Sequence, residues 1–154
     1  MLRRPPIRAT AGGRYRIDLT PPERQLLEML PAQLAEMLDE PGADGMQRLF
    51  PPAYHEAGDQ QRQEEYRRLM QEDLVTRHRE ALEVLASTAG TKHVTAEQLD
   101  AWLRAINALR LVLGTRLDVS EEDVPDEEMD VDHQVYYLLG FLQECAVEAL
   151  GAGR

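Results

Sequence analysis

Apolar residues recur along most of this chain at helical spacing. Leu26, Leu27, Leu30, Leu34 and Leu38 fall on one face, which predicts an amphipathic first helix. Thr20-Pro21-Pro22-Glu23 stands in front of it. A hydroxyl at the cap, proline in the first turn and an acid three residues on make a capping box, so the helix is expected to open at Thr20. Pro31 lies inside the stripe and lacks a backbone donor, which predicts a kink or two abutting helices. Pro41-Gly42 closes the segment.

Residues 41–59 read as a connector with a helical turn near Met46 to Phe50, stopped by Pro51-Pro52 and anchored by Tyr54. The longest stripe is Tyr66, Leu69, Met70, Leu74, Ala81, Leu82 and Leu85, predicting a helix over about 60–87 with Gly90 as its C-terminal cap. A second capping box, Thr95-Ala96-Glu97-Gln98, opens a helix carrying Leu99, Trp102, Leu103, Ile106, Leu109 and Leu113. Ala101, Ala105 and Ala108 leave another of its faces open to close approach, and Gly114 marks its end or an irregular last turn. Val131, Val135, Leu138, Leu142, Cys145 and Ala149 follow spacings of 4, 3, 4, 3 and 4. That a/d-like seam predicts a last helix over about 131–150. Ahead of the first helix the period changes. Tyr15, Ile17 and Leu19 alternate with Arg16 and Asp18, and Ile7 to Ala9 lies across Gly12-Gly13, the pattern of a hairpin.

The expected fold is therefore mainly α, a compact bundle of four to five helices with a short N-terminal β-hairpin or strand, in a single domain over 1–154. A chain of 154 residues, 43% of them hydrophobic, buries a core without disulfide or metal.

Charge adds an asymmetry. The net charge is −11, yet residues 1–17 carry five arginines (Arg3, Arg4, Arg8, Arg14 and Arg16) and no acid, leaving −16 for the rest. Residues 1–14 read as a flexible basic arm, either a solvated segment or one that touches nucleic acid, an anionic membrane or an acidic partner. The acidic body is a poor surface for DNA. Residues 118–131 read as an acidic loop, with eight acids between Glu121 and Asp132. It lacks the central glycine of an EF-hand, so its expected roles are solubility and a negative first turn for the last helix.

Candidate chemistry is sparse. His55, His78, His93 and His133 form no i, i+4 pair, and there is no phosphate loop, nucleophile elbow or dinucleotide fingerprint. No cofactor, metal site or enzymatic activity is expected. The single cysteine, Cys145, excludes an intramolecular disulfide and fits a reducing, cytoplasmic location. It lies on the apolar seam beside Glu144, which favours a buried structural thiol over a redox-active one. No signal peptide or membrane span is expected. Trp102, Arg110 and Arg116 either line a groove or divide into a core indole and two arginines paired with acids on neighbouring helices.

Three stretches resemble an actinobacterial family first known only as a domain of unknown function and since linked to oxidative-stress regulation. One runs from Arg48-Leu49-Phe50-Pro51-Pro52-Ala53-Tyr54 into Glu65-Tyr66-Arg67-Arg68-Leu69 and Glu72-Asp73-Leu74. The most specific is Ala101-Trp102-Leu103-Arg104-Ala105-Ile106-Asn107-Ala108-Leu109-Arg110-Leu111, continued by Leu113-Gly114-Thr115-Arg116-Leu117. The third is Val135-Tyr136-Tyr137 through Leu142-Gln143-Glu144. The resemblance implies a small cytosolic protein whose genes lie near that of a protease adaptor. One branch of the family looks like a redox-responsive transcriptional regulator acting through a sigma factor. That branch uses two nearby cysteines, and this chain has only Cys145, so the disulfide switch does not carry over. Arg110 and Arg116 enter as interaction residues through the resemblance alone.

The expected function is a non-enzymatic regulatory protein acting by protein–protein contact, with a sigma factor as the partner the resemblance implies. The alternatives are DNA binding through the basic arm and a role in regulated proteolysis. A homodimer is also expected, because Tyr136, Tyr137, Leu139 and Phe141 add apolar surface beyond one stripe.

Overall fold

The computed structural model describes residues 3–40, 45–50, 60–117 and 130–153. The Pro41-Gly42 stop, Pro51-Pro52, Tyr54 and the acidic run over 118–129 lie outside them. Among the described residues, four helices form the bundle: α1 (Pro21–Met37), α2 (Gln60–Thr88), α3 (Ala96–Leu117) and α4 (Val131–Ala152). Three short strands, β1 (Ile7–Ala9), β2 (Arg14–Ile17) and β3 (His93–Thr95), make one antiparallel sheet in the order β1-β2-β3. Consecutive helices pack side by side, and β1 lies against α4.

Both capping boxes form. Thr20 accepts from the Glu23 N–H through its hydroxyl, and the Glu23 carboxylate accepts from the Thr20 N–H at 2.9 Å. Thr95 and Gln98 make the same exchange at 3.1 and 2.9 Å. α1 runs unbroken through Pro31, whose ring is buried with Leu27 and Leu34, so one helix and not two occupies this stretch. The turn expected near Met46 is a short 3-10 helix over Met46–Arg48, entered through Gly45 at a φ of 86°. Gly12 and Gly13 supply the positive φ of the β1–β2 turn.

The core is built mostly of Leu and Ala around one indole. Leu27, Leu38, Met46, Leu85, Leu99, Trp102, Ile106, Leu139 and Leu142 are fully buried. Trp102 keeps its N–H satisfied by donating to the Thr88 hydroxyl at 2.7 Å. That hydroxyl in turn donates to the Val84 carbonyl at 2.6 Å. Ala101, Ala105 and Ala108 are all buried, as close approach to α3 requires.

Several local expectations are corrected. The sheet has a third strand, β3, beyond the expected hairpin, with Arg16 opposite His93 and Tyr15 opposite Val94. Gly90 is no left-handed cap, since positive φ among the described glycines is confined to Gly12, Gly13 and Gly45. α2 instead closes through Ala89 donating to Leu85 and Thr91 donating to Thr88. Gly114 does not end α3. It lies inside the helix, where a Cβ would come within 2.9 Å of the Tyr136 ring. The α2 stripe is buried only in its second half, at Ala81, Leu82 and Leu85, whereas Tyr66 and Leu69 are each 65% exposed. Val131, first in the α4 seam, is exposed, and Leu139, expected as surplus apolar surface, is fully buried.

Candidate interaction surface

Residues 3–14 belong to the fold, which corrects their reading as a flexible arm. Ile7 is buried, and Arg3 clasps Glu23 with its two terminal guanidinium nitrogens, Nη1 and Nη2, at 2.8 and 2.6 Å. Glu23 is itself buried, and the clasp holds its carboxyl below the usual range against the opposing effect of burial. One glutamate thus closes the α1 capping box and fastens the N-terminal segment. Arg8 and Arg16 both reach Asp18, at 2.6 and 3.2 Å. Burial tends to raise the Asp18 carboxyl, and the hydrogen bonds from Arg16 and Arg8 outweigh it and lower the pKa.

Strand alternation sorts this region into two faces. Ile7, Tyr15, Ile17 and Val94 point into the core. Arg8, Arg16 and His93 are direct cross-strand partners on the solvent side, with Arg14 opposite Thr95 in the same row system. A small cavity of about 250 Å³ adjoins this face, lined among others by Arg16, Asp18, Arg24 and Lys92.

The two arginines singled out by resemblance are not brought together. Arg110 turns to α4, where it donates to the Gln143 amide oxygen at 2.7 Å and lies 5.1 Å from the Tyr136 ring centroid. Its guanidinium rests against Gly140, where a Cβ would come within 3.4 Å. Arg110 has no ion pair among the described residues, and its Nε is buried without a partner. It ties α3 to α4. Arg116 turns the other way, donating to the Met37 sulfur at 3.3 Å beside Gly45. With Trp102 fully buried, the described residues form no groove that contains all three side chains.

Cys145 is buried. Burial first, then Glu148 and Glu144, push its thiol pKa up, which disfavours the reactive thiolate. His78 is half-buried, and burial lowers its pKa against a hydrogen bond with the Leu49 backbone. Among the described residues, no three His, Cys, Asp or Glu side chains converge as a metal site would require. Likewise, no helix among them is long and apolar enough to cross a membrane.

The first half of α2 stands apart from this packing. Tyr66, Leu69 and Met70 form an exposed apolar flank, and an open cleft of about 510 Å³ separates the helix from the end of α1 at Leu38 and Asp39. Ion pairs within the helix, such as Arg77 with Asp73 at 3.1 Å, contribute only tenths of a kcal/mol.

These features define a helical bundle faced at one end by a small basic sheet. A family model described as a domain of unknown function (DUF2017) matches residues 4–150, nearly the whole chain, and the protein belongs to that family. No curated protein and no solved structure matches it.

Proposed function

We propose that this protein is a non-enzymatic regulator that works by binding another protein, and that its partner belongs to the transcription machinery, a sigma factor being the first to test. The observation that supports contact-based function is the exposed flank of Tyr66, Leu69 and Met70. It lies on the first half of α2, which has little tertiary cover among the described residues, and a short helix without such cover is marginal in water. The sigma factor rests on the family resemblance alone. The test is affinity purification of the tagged protein from its host, with and without oxidant, read by mass spectrometry. Recovery of a sigma factor or polymerase subunit, lost in Leu69→Glu, supports the reading. Recovery of protease components moves the function towards regulated turnover. Retention of partners by Cys145→Ser removes the thiol as a switch.

Self-association is the second part of the proposal. Arg67-Arg68 precedes Met70 and Glu72-Asp73 follows it, so an antiparallel second copy sets cations level with carboxylates. Light scattering at micromolar concentration tests this, and a monomeric mass ends it. DNA binding through the N-terminal arginines is less favoured, because the chain beyond residue 17 carries −16 and repels a long polyanion. A gel shift at low salt decides it.

A further inference from the structure

We propose that the solvent face of the three-stranded sheet binds a short acidic segment of a protein partner, an inference that rests on the protein-contact reading above. Three strands bring together residues distant in sequence. Arg8, Arg16 and His93 form one row across the sheet, and Arg14 stands one step along β2 on the same face. Arg24 and Lys92 join them at the adjoining cavity of about 250 Å³. Two carboxylates temper this group: Asp18, bound to Arg8 and Arg16, and Glu28, whose oxygen lies beside Gly90 at the cavity rim. Five fixed cations therefore meet two acids. The group carries +3 in all, which leaves −14 for the rest of the molecule.

Size and surroundings decide the class of partner. Three strands span two inter-strand spacings, about 10 Å, which suits one extended chain. A long polyanion would run off the patch onto the acidic body and be repelled there. A short run of Asp and Glu ends before it reaches that body. The cavity takes one carboxylate side chain, with the Arg24 and Lys92 charges beside it and the Arg16 guanidinium already oriented by Asp18. Arg14, Arg24, Lys92 and His93 are exposed, so these cations meet a partner without unfolding.

The test uses the full chain and a fluorescein-labelled decapeptide rich in Glu and Asp, read by anisotropy at low salt, beside a ten-nucleotide single strand of DNA. The peptide is expected to bind, to weaken as salt rises, and to shift amide resonances of β1 to β3 and Thr91. The double substitution Arg14→Glu with Lys92→Glu should weaken it by about tenfold or more, while Arg77→Glu on α2 leaves it unchanged. Absence of peptide binding, equal loss in Arg77→Glu, or tighter binding of the oligonucleotide would overturn the proposal, the last in favour of nucleic acid. If the double variant is folded by circular dichroism and still recovers the partner found by affinity purification, the sheet face is wrong while the protein-contact reading stands.

Discussion

The Trp102 indole N–H donates to the Thr88 hydroxyl at 2.7 Å, joining α3 to the last turn of α2 at a buried point. A donor in this position has no access to water, so its acceptor matters more than an average hydrogen bond. Thr88→Val keeps the shape and removes the acceptor. It is expected to cost about 1–3 kcal/mol in urea unfolding. Combined with Trp102→Phe, the loss should be smaller than the sum of the single losses, and strict additivity would show that the bond contributes nothing.

Arg3 and Glu23 set an acid limit on stability. The Glu23 carboxyl is held low in the folded chain, chiefly by the Arg3 hydrogen bonds. Its contribution is therefore complete above the unfolded carboxylate range, roughly pH 4–5, and is lost as pH falls through the lower folded value. Glu23→Gln keeps an oxygen for the α1 cap and removes the ion pair. We expect a loss of about 1–2 kcal/mol at neutral pH that narrows on acidification. A constant gap between the two pH–stability curves would exclude the linkage.

Two glycines in helices should respond to alanine with opposite sign. At Gly114 a Cβ meets the Tyr136 ring at 2.9 Å, so overpacking outweighs the better helix propensity. Thermal melts should show Gly114→Ala destabilised by about 1–2 kcal/mol. At Gly151, within α4, nothing lies within 4 Å of a new Cβ. Gly151→Ala should gain up to about 0.5–1 kcal/mol.

Cys145 should react slowly. Its thiol is buried and its pKa raised by burial and by Glu148 and Glu144. Alkylation at neutral pH is expected to be at least about tenfold slower in the native protein than in urea. Equal rates would place the thiol on the surface and reopen an intermolecular disulfide.

The helices were legible because their signals are local. Thr20 with Glu23 and Thr95 with Gln98 carry their hydrogen-bond partners within one turn, and both boxes form as read. The misreadings arise where a residue's role depends on a distant neighbour. Tyr66, Leu69 and Met70 have helical period, but periodicity does not say whether another element covers that face. Gly114 looks like a helix end by composition, and only the packing of Tyr136 reveals its role. β3 is three residues long and merges with the α3 cap, too short for an alternating pattern. Because β3 was invisible, so was the basic face. The run of N-terminal arginines stood out in the sequence, but their alignment with His93 and proximity to Lys92 did not.

Thr95 is both the last residue of β3 and the cap of α3. No linker separates sheet from helix there, so the strands cannot swing without disturbing α3. The arginine row is held ready before any partner arrives, and the conformational entropy lost on association falls on the incoming segment. Affinity should then follow the stiffness of that segment. A partner sequence already extended in solution would bind more tightly than a flexible one of equal charge.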